Sequence, residues 1–345
     1  MWDDNLLLNS ADTSVKADIL IHHLYGAMDS GNAGRGLIEH LVETLPGKTV
    51  AEFDPDQLID YRSHRPWLGL ENWRFEGIDL PVISLELLSD DNDTNFLVLH
   101  GPEPDAKWIG FVDTVTELAV SAEVKMTVGM HGMPAAVPHT RPTPVHFHGS
   151  NHDRLPAQPR MHGSMALPAG MDQLLEYHLG QNENCESYGM IAAVPYYLAE
   201  GEYPPAAAAL LQALTNFTGL ALPVGDVEAA AMVSVSKITS MIEQYDEAPK
   251  IVEMLEEHFD EAKPSIIQTP EEPLPTADEL GARLEEFLAR SDRKRGLKLS
   301  HLDGEAPTAD RTGLNALRDV PHEEHDIKEV KPRRARHRLD TPEDD

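Results

Sequence analysis

Short aliphatic segments alternate with amphipathic ones through the first two thirds of the chain, and this alternation constrains the fold more than any other feature. Residues 17–25, which read Ala-Asp-Ile-Leu-Ile-His-His-Leu-Tyr, have the pattern of a buried strand. A turn follows at residues 26–31, and then a helical pattern that Asn32 is expected to cap and that ends near Leu45. A strand, a loop and a helix in this order open a βαβ crossover. The sequence therefore predicts a parallel sheet with helices packed on it.

The same alternation continues to residue 218. Further strands are predicted near His146 and Met161 and at residues 49–53, 95–100, 125–130 and 188–194. Helices are predicted at residues 108–123, 171–182 and 204–218. An antiparallel hairpin is expected to join residues 74–78 and 81–88. We therefore predict a three-layer α/β/α core domain over residues 1–225.

The pattern changes after this core. Residues 226–262 carry apolar side chains at helical spacing, and Pro249 should divide them into two helices. We expect this helical segment to pack on the core or on another subunit. Residues 263–345 begin as a proline-rich linker, continue as a capped short helix at about residues 277–290, and end in a charged tail that we expect to be disordered.

The charge balance excludes several classes of partner. The chain has 28 basic and 59 acidic residues, which gives a formal net charge of -31. Such a surface repels polyphosphate and anionic lipid, so we expect neither nucleic acid nor a membrane as a partner. No apolar run reaches the roughly 18 residues that span a bilayer. The first residues are acidic where a secretory signal would be basic, so we expect a cytoplasmic protein.

Cysteine and histidine limit the metal chemistry that the sequence can support. Cys185 is the single cysteine, so neither an intrachain disulfide nor a thiolate zinc site can form. Seven histidines lie between residues 131 and 178, and His146 and His148 would share one side of a strand, which suits a metal pair. No helical HxxxH or HExxH motif accompanies them. We therefore expect hydrogen-bonded or solvated histidines, with no metal and no cofactor.

Two sets of polar residues are candidates for a site that binds an anion or another ligand. Asp29 and Asn32 lie in the loop between the first strand and its helix, a junction that either turns the chain or binds an anion. Four cations on two loops could clamp a carboxylate or phosphate, or could pair internally with acids; they are Arg62, Arg65, His139 and Arg141. We expect these loops to meet at the carboxyl edge of the sheet, where open α/β sheets bind ligands, beside Glu103 and Trp108.

The sequence offers no evident activated nucleophile. The sequence holds no G-x-S-x-G nucleophile elbow, and Cys185 follows a predicted helix instead of preceding one. A non-catalytic binding protein is therefore favoured. The alternative is a phosphorylase- or hydrolase-like enzyme that acts on a small anionic substrate and uses the loop around Asp29 and the cations Arg62 and Arg141.

Three stretches of the chain, in order, carry a family pattern. Residues 54–66 contain D-P-D-x-x-x-D-Y-R followed by R-P, residues 101–111 contain G-P-E-P-x-x-x-W-x-x-F, and residues 137–145 contain V-P-H-T-R-P-x-P-V. Together they resemble the proteasome assembly chaperone 2 family over about residues 15–260. The resemblance implies a three-layer fold like that of purine nucleoside phosphorylases, homo-oligomers with a trimer favoured, and a chaperone-like assembly role with an unknown protein partner.

The sequence departs from this family in three places. Residues 167–171 read L-P-A-G-M where the family often has Y-E-G-P-T-G, and residues 194–197 read V-P-Y-Y in place of V-P-H-Y. A shared ligand site that includes this second polar loop is therefore weakened. Members that dock on the proteasome end in a hydrophobic residue, Tyr and any residue, whereas this sequence ends in Glu-Asp-Asp, so we expect no docking through that tail.

Overall fold

A seven-stranded mixed sheet forms the middle layer of the protein in a computed structural model that describes residues 6–9, 11–26, 28–159, 166, 168–245 and 247–262. The strands are β1 (Ile19–Tyr25), β2 (Gly47–Phe53), β3 (Trp67–Glu71), β4 (Arg74–Asp79), β5 (Ile83–Ser89), β6 (Asn95–Pro102), β7 (Met126–Ala135), β8 (Val145–Gly149) and β9 (Glu186–Pro195). The helices are α1 (Ala33–Thr44), α2 (Pro55–Leu58), α3 (Trp108–Ser121), α4 (Met171–Leu179), α5 (Pro204–Thr218), α6 (Gly225–Ile242) and α7 (Ala248–Ala262).

The central four strands of the sheet are parallel. In space the order is β2-β5-β6-β1-β7-β9-β8, and β1 lies between β6 and β7. The neighbours β6, β1, β7 and β9 run parallel, whereas β5 pairs antiparallel with both β2 and β6, and β8 pairs antiparallel with β9. Antiparallel strands at the edges of a parallel sheet are common in doubly wound folds.

Helices cover both faces of this sheet, which confirms the predicted three-layer α/β/α class. Leu20 and Leu24 of β1 point into an apolar cluster that contains side chains of α3 and α4. Ile21, on the opposite face of the same strand, belongs to a second cluster that contains side chains of α1 and α5. Among the described residues, no helix is both long enough and apolar enough to cross a membrane.

The two C-terminal helices lie close to where the sequence predicts them. α6 packs against α5. It ends at Ile242, and α7 begins at Ala248. Pro249 is the second residue of α7 and not a kink inside one long helix. Proline is tolerated in the first turn because an N–H there has no intrahelical partner.

The predicted hairpin of residues 74–78 with residues 81–88 is wrong. β4 pairs instead with β3 through a two-residue turn at Asn72 and Trp73, whose φ angles are 47° and 65°. Turns with two positive φ angles match the twist of a hairpin. β5 belongs to the main sheet, between β2 and β6. The expected strand near Met161, helix at residues 277–290 and C-terminal tail lie outside the described residues.

Gly132 of β7 permits the closest approach between the sheet and the loop that follows β1. A Cβ atom at this position would lie 1.9 Å from the carbonyl oxygen of Ser30. Because that oxygen belongs to the backbone, Gly132→Ala should lower the free energy of unfolding by about 1–3 kcal/mol, as measured by urea denaturation. Gly201→Ala is the matched control, since nothing lies within 4 Å of its added Cβ, and it should change stability by less than about 0.5 kcal/mol. Equal stability of the two variants would contradict this packing.

Candidate functional site

Two adjacent buried histidines, His22 and His23, lie in the central strand β1. Neighbouring side chains in a strand point to opposite faces of the sheet. His22 lies against α4, where it bonds Asp172, and the ring of His23 lies against Gly34 at the start of α1. A polar ring buried among aliphatic side chains needs a partner on each face.

Asp172, the second residue of α4, is the partner that both histidines share. Its Oδ1 lies 2.8 Å from Nδ1 of His22, and its Oδ2 accepts a hydrogen bond of 3.0 Å from the Leu24 backbone N–H. The same Oδ2 lies 3.6 Å from Nδ1 of His23. Burial opposes ionisation of Asp172, but the hydrogen bond from His22 and the charges of both histidines outweigh it, so its pKa lies below the ordinary value.

Asp29 holds the other side of His23. Its Oδ2 lies 3.2 Å from Nε2 of His23, and the carboxylate also accepts backbone N–H bonds from Gly34 and Arg35 at 3.0 Å and from Gly132 at 2.8 Å. One side chain therefore connects β1, the first turn of α1 and β7.

The charged forms of His23 and Asp29 are favoured although both side chains are buried. Burial lowers the pKa of His23, but the Asp29 carboxylate that faces its Nε2 and the charge of Asp172 raise it by more, so the net pKa is above the ordinary value. Burial likewise raises the pKa of Asp29, and the bonds from His23, Gly34 and Arg35 reverse this effect. Asn32, the predicted cap, has a φ of 49° and makes no capping bond with its side chain. The Asp29 carboxylate caps α1 instead, because it accepts the N–H bonds of Gly34 and Arg35.

A second carboxylate–histidine pair lies one helical turn along α4 from Asp172. Glu176 of α4 accepts a bond of 2.7 Å from Nε2 of His148 on β8, and this bond raises the pKa of His148 against the effect of burial. Burial lowers the pKa of His131 on β7. Two register-paired glycines leave room for these side chains, because a Cβ on Gly129 would lie 2.3 Å from Glu176 Oε1 and one on Gly189 would lie 2.2 Å from the His148 ring.

Two buried polar atoms between α4 and β7 have no hydrogen-bond partner among the described residues. They are Nε2 of His22 and Oε1 of Glu176, and both lie over Gly129. The two ring nitrogens of His23 also lack a partner of hydrogen-bond geometry, although they lie at ion-pair distance from Asp29 and Asp172. In the described ranges, no group of three or more His, Cys, Asp or Glu side chains is arranged to hold a metal ion. The arrangement can therefore hold protons and accept hydrogen bonds from a small polar group.

The predicted cations lie in separate places. Arg62 is exposed and pairs with Asp60 at 3.1 Å. Arg141 pairs with Glu256 at 3.2 Å and with Asp260 at 2.7 Å, both on α7. Both guanidinium groups are thus engaged by carboxylates and do not face a common ligand position.

The other predicted residues are also dispersed. His139 contacts the Tyr197 hydroxyl at 2.8 Å and Thr239 of α6 at 3.1 Å, and Arg65 lines a groove beside α1. Glu103 accepts a bond of 2.6 Å from the Met171 backbone N–H at the start of α4, and Trp108 donates to the Pro104 carbonyl. Within the described part of the chain, no hydrogen bond between side chains and no ion pair joins any two of the eight predicted residues; Asn32 only donates its backbone N–H to the Asp29 carbonyl, at 3.0 Å. Asp29 alone belongs to the histidine cluster.

Sequence reasoning did not identify most of this cluster. Two signals were present: His22 and His23 interrupt an aliphatic strand, and Asp172 and Glu176 are spaced by four residues on a predicted helix. A buried strand that carries two histidines requires buried acids elsewhere in the chain. The spacing of four places both carboxylates on one helix face.

The chain matches one family model and several solved structures. The model of the PAC2 family matches residues 23–241. A Corynebacterium glutamicum protein of unknown function is 32% identical with a TM-score of 0.69, over 73% of this chain and 93% of that chain. A Mycobacterium tuberculosis protein of unknown function is 34% identical with a TM-score of 0.70, over 75% and 91%. No match to a curated protein was found.

A more distant structure shares the fold. The Mycobacterium tuberculosis proteasome-assembly chaperone homologue is 22% identical with a TM-score of 0.60, over 68% of this chain and 99% of that chain. The likeness extends over nearly the whole of that protein, so the three-layer core is common to both.

The charges of His23, Asp29 and Asp172 should make stability depend on pH in both directions. The contribution of His23, whose pKa is raised, is fully present below its unfolded pKa of about 6.5 and is lost as pH rises through the folded value. The contributions of the two aspartates, whose pKa values are lowered, are present above about pH 3.9 and are lost as pH falls through the folded values. The loss of unfolding free energy in His23→Asn should therefore be largest between about pH 4 and 6.5 and should shrink at higher pH.

Urea denaturation of both proteins across this pH range measures the difference. His152→Asn is the matched control, because that histidine is exposed, and its difference from the native protein should stay constant. A His23→Asn difference that does not vary with pH would show that the ring is buried uncharged.

The Arg141 ion pairs give a second prediction. Arg141→Ala should lower the melting temperature, because it removes the guanidinium group that pairs with both Glu256 and Asp260 of α7. Phosphate should not raise the melting temperature saturably in either protein, whereas an anion bound at 100 times its dissociation constant would stabilise by roughly 2.7 kcal/mol. Arg62→Ala, which removes an exposed pair, should have little effect. A saturable rise with phosphate that Arg141→Ala abolishes would restore the anion site.

Proposed function

The chain belongs to the PAC2 family, and from this membership we propose that it is a non-catalytic, chaperone-like binding or assembly protein of the cytoplasm. Its partner would be another protein, and copies of the chain would form a homo-oligomer, for which the family resemblance favours a trimer. The core would serve as a scaffold. The helices α6 and α7 would present the surface that contacts the partner.

The outer face of α6 is the observation that carries this proposal. In this helix of 18 residues only Val227 is buried. Met232, Val233 and Met241 are 69%, 54% and 57% exposed. A helix gains most of its stability from packing an apolar face, so a helix with so little buried surface favours a further layer on top of it. A bound protein would supply that layer.

The chemistry of this face suits a partner of variable shape. Methionine is unbranched and polarizable, and methionine-rich surfaces repack around different ligands. Met254 of α7 is 51% exposed and adds a third methionine to the same helical segment. The ion pairs between Arg141 and α7 hold this segment on the core, so that the surface would be presented in one orientation.

The names of structural relatives support the proposal only at the level of fold. One is the proteasome-assembly chaperone homologue described above, and another is Pyrococcus furiosus PbaB, an archaeal proteasome activator that is 16% identical with a TM-score of 0.52, over 69% of this chain and 97% of that chain. Assembly of a protein complex would be the role that this chain shares with them.

A second candidate is a phosphorylase- or hydrolase-like enzyme that acts on a small anionic substrate. The observation in its favour is that Asp172 orients His22 and leaves the buried Nε2 without a partner among the described residues, as in one half of an acid–base pair. The cations that would bind the anion, Arg62 and Arg141, are engaged by acids. The candidate is therefore second.

Photo-crosslinking in native lysate tests the first proposal. A crosslinkable residue in place of Met232 of the full-length protein should capture a discrete protein, and Val233→Glu in the same chain should abolish the capture, since it puts a charge beside that residue on the exposed side of α6. The same residue in place of Asp113, which is exposed on the opposite side of the sheet, is the control and should capture nothing. No capture at Met232, together with ester hydrolysis or nucleoside phosphorolysis that both Asp29→Ala and His22→Gln remove, would favour the enzyme.

A further inference from the structure

The last described helix, α7, lies outside the apolar core. Its residues Val252 and Leu255 are 8% and 3% exposed, yet neither belongs to the two apolar clusters on the faces of the sheet. Acidic side chains of the helix bond to Thr140 and Arg141, in the loop between β7 and β8. The helix is therefore a peripheral element that is seated on one loop of the core.

The Arg141 guanidinium group holds Asp260 with the geometry of a bound carboxylate. Its Nε and Nη2 atoms donate to Oδ1 and Oδ2 at 3.1 and 2.7 Å, which makes a bidentate pair. Its Nη1 atom donates at 3.2 Å to Oε1 of Glu256, and the Thr140 hydroxyl donates to the same oxygen. Bidentate arginine–carboxylate pairs supply geometric specificity as well as energy, so they are typical of sites that recognise carboxylate groups.

The contacting residues occupy one face of α7. Glu256 lies four residues after Val252 and four residues before Asp260. Leu255, the other buried apolar residue, lies three residues after Val252. Residues three and four apart in a helix share a face. The helix thus binds through apolar anchors and carboxylates together, as amphipathic helices do when they dock on another protein.

The loop belongs to the region that the PAC2 family model matches, whereas α7 does not. That region ends at residue 241, and α7 begins at Ala248. The loop carries the V-P-H-T-R-P-x-P-V sequence, and its Thr140 and Arg141 are the residues that bind the carboxylates. The carboxylate-binding residues are therefore part of the region common to the family, while the helix that fills them here lies outside it.

We propose that this loop is a docking site for an acidic amphipathic helix of another protein, and that α7 occupies the site in cis when that protein is absent. The inference rests on the proposed function, because it names the kind of segment that the partner would present. That segment would carry apolar side chains and two carboxylates four residues apart on one face, as α7 does.

The charge of the chain makes an acidic segment a selective ligand for this loop. With 59 acidic and 28 basic residues, most of the surface repels a carboxylate, so an acidic helix finds few competing sites. The Arg141 side chain is 28% exposed. A carboxylate that reaches it is therefore less screened by solvent and salt than one paired on the open surface.

The connection to α6 explains how α7 can hold the site and still be replaced. A segment tethered by a short linker competes at an effective concentration of about the millimolar range, so a small free anion does not displace it. A partner that is already attached to the exposed side chains of α6 would hold its own helix at a comparable local concentration. Contact with α6 would thus favour the exchange of one helix for the other.

Fluorescence anisotropy with a labelled synthetic peptide tests the site. The peptide copies residues 248–262, and the protein is the full-length double variant Glu256→Gln, Asp260→Asn, whose own α7 has lost both carboxylates. Binding should be saturable and at least about tenfold tighter than binding to the native protein, where α7 competes from the same chain. Adding Arg141→Ala to the double variant should weaken binding at least about tenfold, because it removes hydrogen bonds between charged groups.

The matched controls separate docking from unspecific binding. The double variant Glu253→Gln, Glu257→Gln removes the same number of charges from exposed positions of α7 that do not pair with Arg141, and it should bind the peptide no better than the native protein does. A peptide with the Glu256→Gln and Asp260→Asn substitutions should not bind. Absence of binding to the first double variant while its circular dichroism is native, or binding that Arg141→Ala leaves unchanged, would overturn the proposal.

Hydrogen exchange on the native protein gives a measurement that needs no variant. A helix that leaves its site as a unit opens locally, so the amides of α7 should exchange at least about tenfold faster than those of α5, whose side chains lie in the apolar core. Equal protection of the two helices would show that α7 does not leave the loop, and would refute the exchange. Capture at Met232 involves neither the peptide nor Arg141, so failure of this docking site is distinguishable from failure of the proposed function.

Discussion

The ion pair between His23 and Asp29 is the interaction on which the middle of the molecule depends. Asp29 receives N–H bonds from the first turn of α1 and from Gly132 of β7, and it holds a histidine of β1 between itself and Asp172 of α4. Helices from both outer layers are therefore fixed to the central strand through charged groups. Removing one partner of such a buried pair is costly, about 3–5 kcal/mol in comparable cases, because it leaves an uncompensated charge.

The small residues around this network follow from the same constraint. The carboxylates and imidazoles approach the backbone so closely that Gly129 and Gly189 have no space for a Cβ, and the loop that carries Asp29 excludes one at Gly132 through the Ser30 carbonyl. These positions could not be interpreted from sequence, because a glycine in a strand indicates a close approach without saying what approaches. The strand glycines lie where the polar side chains of the cluster approach the backbone.

Local sequence patterns predicted most helices and strands, but they could not predict which strands and side chains pair over long distances in the chain. α5 begins and ends where its proline and its apolar spacing place it, because those signals are local. The β3–β4 hairpin was misassigned because its turn residues, Asn72 and Trp73, lack the glycine that usually marks such a turn. The contact of His22 with Asp172 spans 150 residues, and no spacing rule connects them.

The loop that contains His139, Thr140 and Arg141 links the family pattern to the proposed partner surface. These residues suggested anion binding in the sequence, yet His139 contacts α6 through Thr239, and Thr140 and Arg141 both bind Glu256 of α7. Arg141 makes its other ion pair with Asp260 of the same helix. The polar residues of the loop thus hold the two helices whose outer side chains are left exposed. Because the loop follows β7, whose Gly132 bonds Asp29, the helical surface is connected to the buried charge network through a single strand.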